Sequence, residues 1–182
     1  MQWEWQWTIH GFLRYPRMNK TERMNMNDNE LTCWLLQAEF KITDPLQAGI
    51  NGIISNATTP LMSAARQGNI EVLKALLARG ADPAALNADG NSALWFACYA
   101  NSEDCVAALI NAGAPLDSQN VNGATALIYC ASAGKTAMVR QLLDAGATPG
   151  LMTMDDFTAL ELAANLECMR MLKAAAKDAE NV

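Results

Sequence analysis

Thr59-Pro60-Leu61-Met62-Ser63-Ala64-Ala65 returns as Ser92-Ala93-Leu94-Trp95-Phe96-Ala97-Cys98, then as Thr125-Ala126-Leu127-Ile128-Tyr129-Cys130-Ala131 and Thr158-Ala159-Leu160-Glu161-Leu162-Ala163-Ala164, each time 33 residues on. Gly80, Gly113 and Gly146 keep the same step, as do the apolar pairs Leu76-Leu77, Leu109-Ile110 and Leu142-Leu143. The Ser or Thr supplies an oxygen for the free amides of a helix start, and Pro60 suits a first helical turn. Two adjacent small residues keep that helix thin enough for neighbouring units to stack. Gly68, Asn101 and Gly134 then mark a turn that needs positive φ. A second helix follows with Val72, Leu73, Leu76 and Leu77 on one stripe and closes at Arg79-Gly80. Asn87-Ala88-Asp89-Gly90, and Asn122-Gly123 one unit later, predict tight turns between units. The unit is helix, turn, helix and a hairpin-like arm.

This 33-residue pattern resembles the ankyrin repeat family, whose T-P-L-H-x-A signature, its histidine apart, and Gly-Ala-Asp close match Thr59–Ala65 and Gly80-Ala81-Asp82. The resemblance runs from about 56 to 177 and implies an all-α solenoid of stacked helix-turn-helix units joined by β-hairpin-like arms. The histidine usual after the repeat leucine is replaced by Met62, Trp95, Ile128 and Glu161, so a polar tie between turns gives way mostly to apolar side chains.

The expected layout is a tail over 1–26 and a repeat domain over 27–182. Within the domain, 27–55 reads as a degenerate N-terminal cap, or alternatively as a plain helical hairpin. Full repeats follow at 56–86, 87–119 and 120–152, and a C-terminal cap at 153–182. Leu31, Trp34, Leu35 and Ala38 have helical spacing behind an Asn27/Glu30 capping pair, and Asp44-Pro45 starts a short helix that Gly49 closes. In the last unit Asp156 takes the arm glycine's place, Glu167 falls at the inter-helix turn, and Lys173, Lys177, Asp178 and Glu180 make the final helix polar, as a solvent-facing end requires. In the tail, Trp3, Trp5, Trp7 and Ile9 alternate with Gln2, Glu4, Gln6 and Thr8, the period of a strand with one apolar face. That segment reads either as a docking strand or as a loose extension.

The 182 residues are 51% hydrophobic and 18% charged, ordinary globular composition, and their net charge of −6 argues against a nucleic-acid partner. A single histidine, His10, disfavours triads, His-based acid–base pairs and zinc sites. The five cysteines (33, 98, 105, 130, 168) form no CxxC pair and read as reduced core hydrophobes, in keeping with a cytoplasmic location. No apolar run is long enough to span a bilayer, and 1–15 has no signal-peptide core. Glu103-Asp104 reads as first-turn charge on a helix, Asp155-Asp156 as turn residues, and Gly134-Lys135-Thr136 as an inter-helix turn rather than a phosphate loop. Neither catalytic residues nor a metal or cofactor site is expected.

The resemblance further implies that the chain binds another protein on a concave face of arms and first helices. The family's variable positions, carried over one by one, fall on Ser55, Asn56, Thr58, Arg66 and Gln67, then Ala88, Asp89, Asn91, Tyr99 and Ala100. They continue on Val121, Asn122, Ala124, Ser132 and Ala133, and on Met154, Asp155, Phe157, Asn165 and Leu166. Trp95 stands in line with Met62 and Ile128 and one turn before Tyr99, an apolar column that serves either as a binding centre or as packing between repeats. The leading expectation is thus a monomeric, non-catalytic interaction module without nucleic-acid or membrane contacts. The alternative is an oligomeric or envelope-associated scaffold anchored by its Trp-rich N-terminus. An enzyme with Cys98 or Cys130 as nucleophile is the third reading, and it requires reactive thiolates.

Overall fold

A computed structural model describes residues 26–40 and 50–180, with side chains through Lys177. The alternating segment Trp3–Ile9, His10 and the helix expected from Asp44-Pro45 to Gly49 lie outside the described residues. Among the described residues there are eight α-helices: α1 Asp28–Gln37, α2 Pro60–Arg66, α3 Ile70–Ala78, α4 Ala93–Tyr99, α5 Glu103–Asn111, α6 Ala126–Ser132, α7 Thr136–Asp144 and α8 Leu166–Glu180.

The repeated Ser/Thr begins each short helix for the reason its oxygen suggests. Thr59, Ser92 and Thr125 accept hydrogen bonds from the amides of Met62, Trp95 and Ile128 at 3.3, 3.3 and 3.2 Å. Each such cap contributes about 1 kcal/mol to a helix of barely two turns. The helices stop where the chain turns left-handed, at Gly68 (φ 64°), Asn101 (φ 58°) and Gly134 (φ 68°). Asn69 and Ser102 then cap α3 and α5 through the amides of Val72 and Cys105.

Two layers result. Helices α2, α4 and α6 pack on one another, α3, α5 and α7 do the same behind them, and α8 packs on α7. Ala64, Ala65, Ala97, Cys98, Cys130 and Ala131 are fully buried between the layers, where a longer side chain would force the units apart. Val72, Leu73 and Leu76, with Val106, Leu109, Val139 and Leu142, fill one continuous core, each contributing on the order of 2 kcal/mol. Only the first leucine of each apolar pair is fully buried; Leu77, Ile110 and Leu143 are half-buried.

The arms are held by two asparagines one repeat apart. Asn87 Oδ1 accepts from the amides of Asp89 (3.1 Å) and Asn91 (2.8 Å), and Asn120 Oδ1 from those of Asn122 (3.0 Å) and Ala124 (3.0 Å). Neighbouring arms join through single backbone bonds: Ala88 N–H to Asn56 O, Val121 N–H to Asp89 O and Met154 N–H to Asn122 O, at 3.0, 2.9 and 2.9 Å. This close approach explains two glycines. A Cβ on Gly90 would stand 2.9 Å from Asn120 Cα, and one on Gly123 would stand 2.8 Å from Met154 N.

Asp156 at the same place in the last arm keeps the left-handed conformation (φ 62°) with a side chain, because among the described residues no further arm packs on it. The last unit otherwise departs from the pattern. Its first helix shrinks to one turn over 159–162, capped by Thr158 and the Glu161 carboxylate. Glu167 is not in the inter-helix turn but in the first turn of α8, paired with Arg140 at 3.1 Å. A glutamate does not readily take the positive φ of that turn, so α8 starts early, and Asn165 caps it through the amide of Cys168 at 2.8 Å. At the other end, Asn27 and Glu30 form a reciprocal capping box on α1, whose Leu31, Trp34 and Leu35 enter the common core.

Candidate protein-binding face

The carried-over positions lie on the arms and at the ends of α2, α4 and α6, apart from Asn165, which caps α8, and Leu166, its first residue, and they do different things there. Asn56, Asp89, Asn91 and Asn122 are occupied in holding arm to arm. Asn56 Nδ2 donates to Asp89 Oδ2 at 2.6 Å, and Asn91 Oδ1 accepts from Asn120 Nδ2 at 3.2 Å. The carbonyls of Asn56, Asp89 and Asn122 carry the inter-arm ladder. Thr58 and Ala124 are half-buried, their backbones engaged within their own arms. Arg66 and Gln67 are exposed at the end of α2, and Val121, Met154, Asp155 and Phe157 are exposed on the last two arms.

Tyr99 projects from the end of α4 with 56% of its surface exposed. Trp95, one turn earlier, is half-buried, and its ring lies 4.7 Å from that of Tyr129. Tyr129 in turn lies 6.4 Å from Tyr99 with the planes 28° apart. The apolar column expected from Met62, Trp95 and Ile128 does not form a surface: Met62 and Ile128 are buried, and Trp95 turns to Tyr129 on the neighbouring helix instead. Burial of Tyr129 pushes its phenol up from the ordinary value.

Lys135 completes this cluster. Its Nζ donates to the carbonyls of Cys98 (2.7 Å) and Tyr99 (3.0 Å) and stands 5.5 Å from the Tyr129 ring centre. The expected phosphate-loop look-alike Gly134-Lys135-Thr136 is thus a turn whose cation satisfies the open C-terminal end of α4. Glu103 and Asp104 likewise sit in the first turn of α5, behind the Ser102 cap.

Cys98 and Cys130 are fully buried, which withholds them from any substrate. Hydrogen bonding with the Cys98 thiol and burial both push the Cys130 thiol upward, and burial raises Cys105. Among the described residues no three Cys, Asp, Glu or His side chains converge as metal ligands, and no helix is long and apolar enough to cross a membrane.

Sequence reasoning did not single out Tyr129, Lys135, Asn87 or Asn120 as partners of the face. Asn87 and Asn120 carried a usable signal, the recurrence of Asn three residues before the arm glycine. Tyr129 and Lys135 carried none, because their contacts reach across to another repeat.

A family model for ankyrin repeats, in three-copy form, matches residues 23–120 and 108–181. The chain belongs to the ankyrin repeat family. Ankyrin repeats are in general protein–protein interaction modules and typically non-catalytic. No curated protein matches the chain. Its ankyrin character explains the shared plan, in which constant helices and caps hold a set of arms and helix ends whose side chains differ from unit to unit.

Proposed function

We propose that this ankyrin chain is a non-catalytic, monomeric cytoplasmic module that holds one specific protein partner on the concave face of its arms and first helices. One observation carries the reading. The large apolar side chains exposed at the carried-over positions on the arms and first helices, Tyr99, Val121, Met154 and Phe157, are concentrated on the last three units, while Ser55, Asn56, Thr58, Arg66 and Gln67 at the first unit are polar. A surface divided in this way suits a partner with an apolar half and a polar half. Tyr99 is the anchor: a large amphipathic ring, backed by Tyr129 and Trp95, reduces the ordering cost of binding. Arg66 supplies the charge at the polar end.

Affinity capture from host lysate with the native chain and with Tyr99→Ala/Arg66→Ala tests this. One protein held by the native chain and lost by the variant, at unchanged melting temperature, is the expected outcome. Equal recovery moves the interface off this face, and a collapse of melting temperature assigns Tyr99 to packing.

A further inference from the structure

The arms carry charge of one sign only. Residues 80–92, 113–125 and 146–158 contain five aspartates and no lysine, arginine or histidine. Among the described residues every lysine and arginine lies in a helix or at its cap, and none forms an ion pair with an arm aspartate. Between the last two arms is an open, shallow hollow of about 350 Å³, whose lining includes Gln119, Val121, Gly123, Met152, Thr153 and Met154. Its three large apolar side chains, Val121, Met152 and Met154, are all exposed.

What this hollow can hold follows from its hydrogen-bond donors. Gln119 Nε2 donates to the carbonyls of Gly123 and Met152, both at 2.8 Å, and Asn120 Nδ2 donates to Asn91 Oδ1 at 3.2 Å. The amides of Val121, Gly123, Thr153 and Met154 donate to the carbonyls of Asp89, Asn120, Phe157 and Asn122. An anion would find these donors spent. Apolar surface and carboxylates are what the hollow offers outward. The carboxylates of Asp82, Asp89 and Asp117 already accept from the Ala84 amide, Asn56 and Thr148. Asp155 and Asp156, which directly follow Met154, are exposed, and no donor among the described residues holds either carboxylate. The two methionines are unbranched and polarizable, suited to moulding around an inserted ring.

We propose that the hollow seats a cationic, apolar segment of the protein partner. One large apolar or aromatic side chain packs on Val121, Met152 and Met154, and neighbouring lysines or arginines face Asp155 and Asp156. The uniform negative charge of the arms draws such a segment in and turns acidic ones away. The assignment rests on the concave-face reading, since Val121 and Met154 belong to both surfaces, and it adds the chemistry of the segment that binds there.

A short fluorescein-labelled peptide with lysines on either side of a tryptophan, titrated against the full chain by fluorescence anisotropy, tests the assignment. Two control peptides replace the lysines by glutamate or the tryptophan by serine. The lysine–tryptophan peptide should bind at least about tenfold more tightly than either control, and added salt should weaken it several-fold. Asp155→Asn/Asp156→Asn and Met152→Ser/Met154→Ser, each with its melting temperature retained, should each weaken it by about tenfold. Asparagine accepts the left-handed backbone of Asp156 (φ 62°), so the first variant keeps the arm intact. Equal binding of the serine control reduces the contact to charge alone and overturns the proposal. Binding of the glutamate control as tight as that of the lysine peptide, or an affinity unchanged in either variant, overturns it too. Peptide binding as expected, alongside equal lysate capture by Tyr99→Ala/Arg66→Ala, keeps the hollow and removes only Tyr99 and Arg66 from the interface; the reverse pair of results removes only the hollow.

Discussion

At the scale of single residues, the thiols give the sharpest expectation. Cys33 is exposed while Cys98, Cys105, Cys130 and Cys168 are buried. An alkylating reagent at neutral pH should label Cys33 quickly and the other four only on unfolding, and peptide mass mapping reads the result. Rapid labelling of native Cys98 or Cys130 would restore the nucleophile reading. The raised thiols also set a pH dependence. Cys105 and Cys130 keep their protons in the folded state where the unfolded chain loses them near its ordinary value of 9.0. The folded state then binds more protons, so this contribution is complete well below pH 9 and is lost as the pH rises through the unfolded value toward the higher folded one. Chemical denaturation at pH 8 and pH 10 should show a falling midpoint, and Cys105→Ala/Cys130→Ala should flatten that slope.

At the scale of elements, the glycines and Lys135 separate local conformation from contact. Gly113 has φ 78° and an added Cβ there would meet open space, whereas Gly123 has φ 74° and an added Cβ would stand 2.8 Å from Met154 N of the next arm. Gly113→Ala should cost about 1 kcal/mol, from the left-handed conformation alone. Gly123→Ala should cost at least about 2–3 kcal/mol, because the Met154 ladder bond must also shift. Equal losses in urea denaturation would mean that the arms part freely. Lys135→Met removes the cation from the end of α4 and should lower stability by about 1 kcal/mol, with little change on further substitution of Tyr99 to Phe. The last unit shows how one residue redraws an element: Glu167, at a place filled by Gly68, Asn101 and Gly134 elsewhere, moves the start of α8 forward. Thr158-x-x-Glu161, a capping-box spelling, closes the single remaining turn at its start.

At the scale of the molecule, the main helix contacts among the described residues run within a unit or between adjacent units, so cohesion depends on position in the stack. Amide exchange should be slowest in α4 to α7, which are packed on both sides, and faster in α8. Uniform protection across all helices would indicate a single cooperative block. The helix-turn-helix repetition, the caps and the buried small residues were legible because each is decided within about ten residues of sequence. Less of the binding face was legible. The spacing pointed to Tyr99, Val121, Met154 and Phe157, yet Trp95 turned out to be half committed to Tyr129, and Asn56, Asp89 and Asn91 to the arms.

By itself, then, the sequence determined the period, the helix starts, ends and positive-φ turns of the three full repeats, and most of the residues lost to the core, since these follow from propensity and periodicity close along the chain. Only the tertiary structure decided that Met62 and Ile128 are buried while Tyr99 is exposed, that Lys135 serves a helix 36 residues away, and that Ile53, Leu86 and Met152 are left exposed. Those outcomes depend on how much rotation and spacing stacking imposes between units, a quantity that no single repeat encodes.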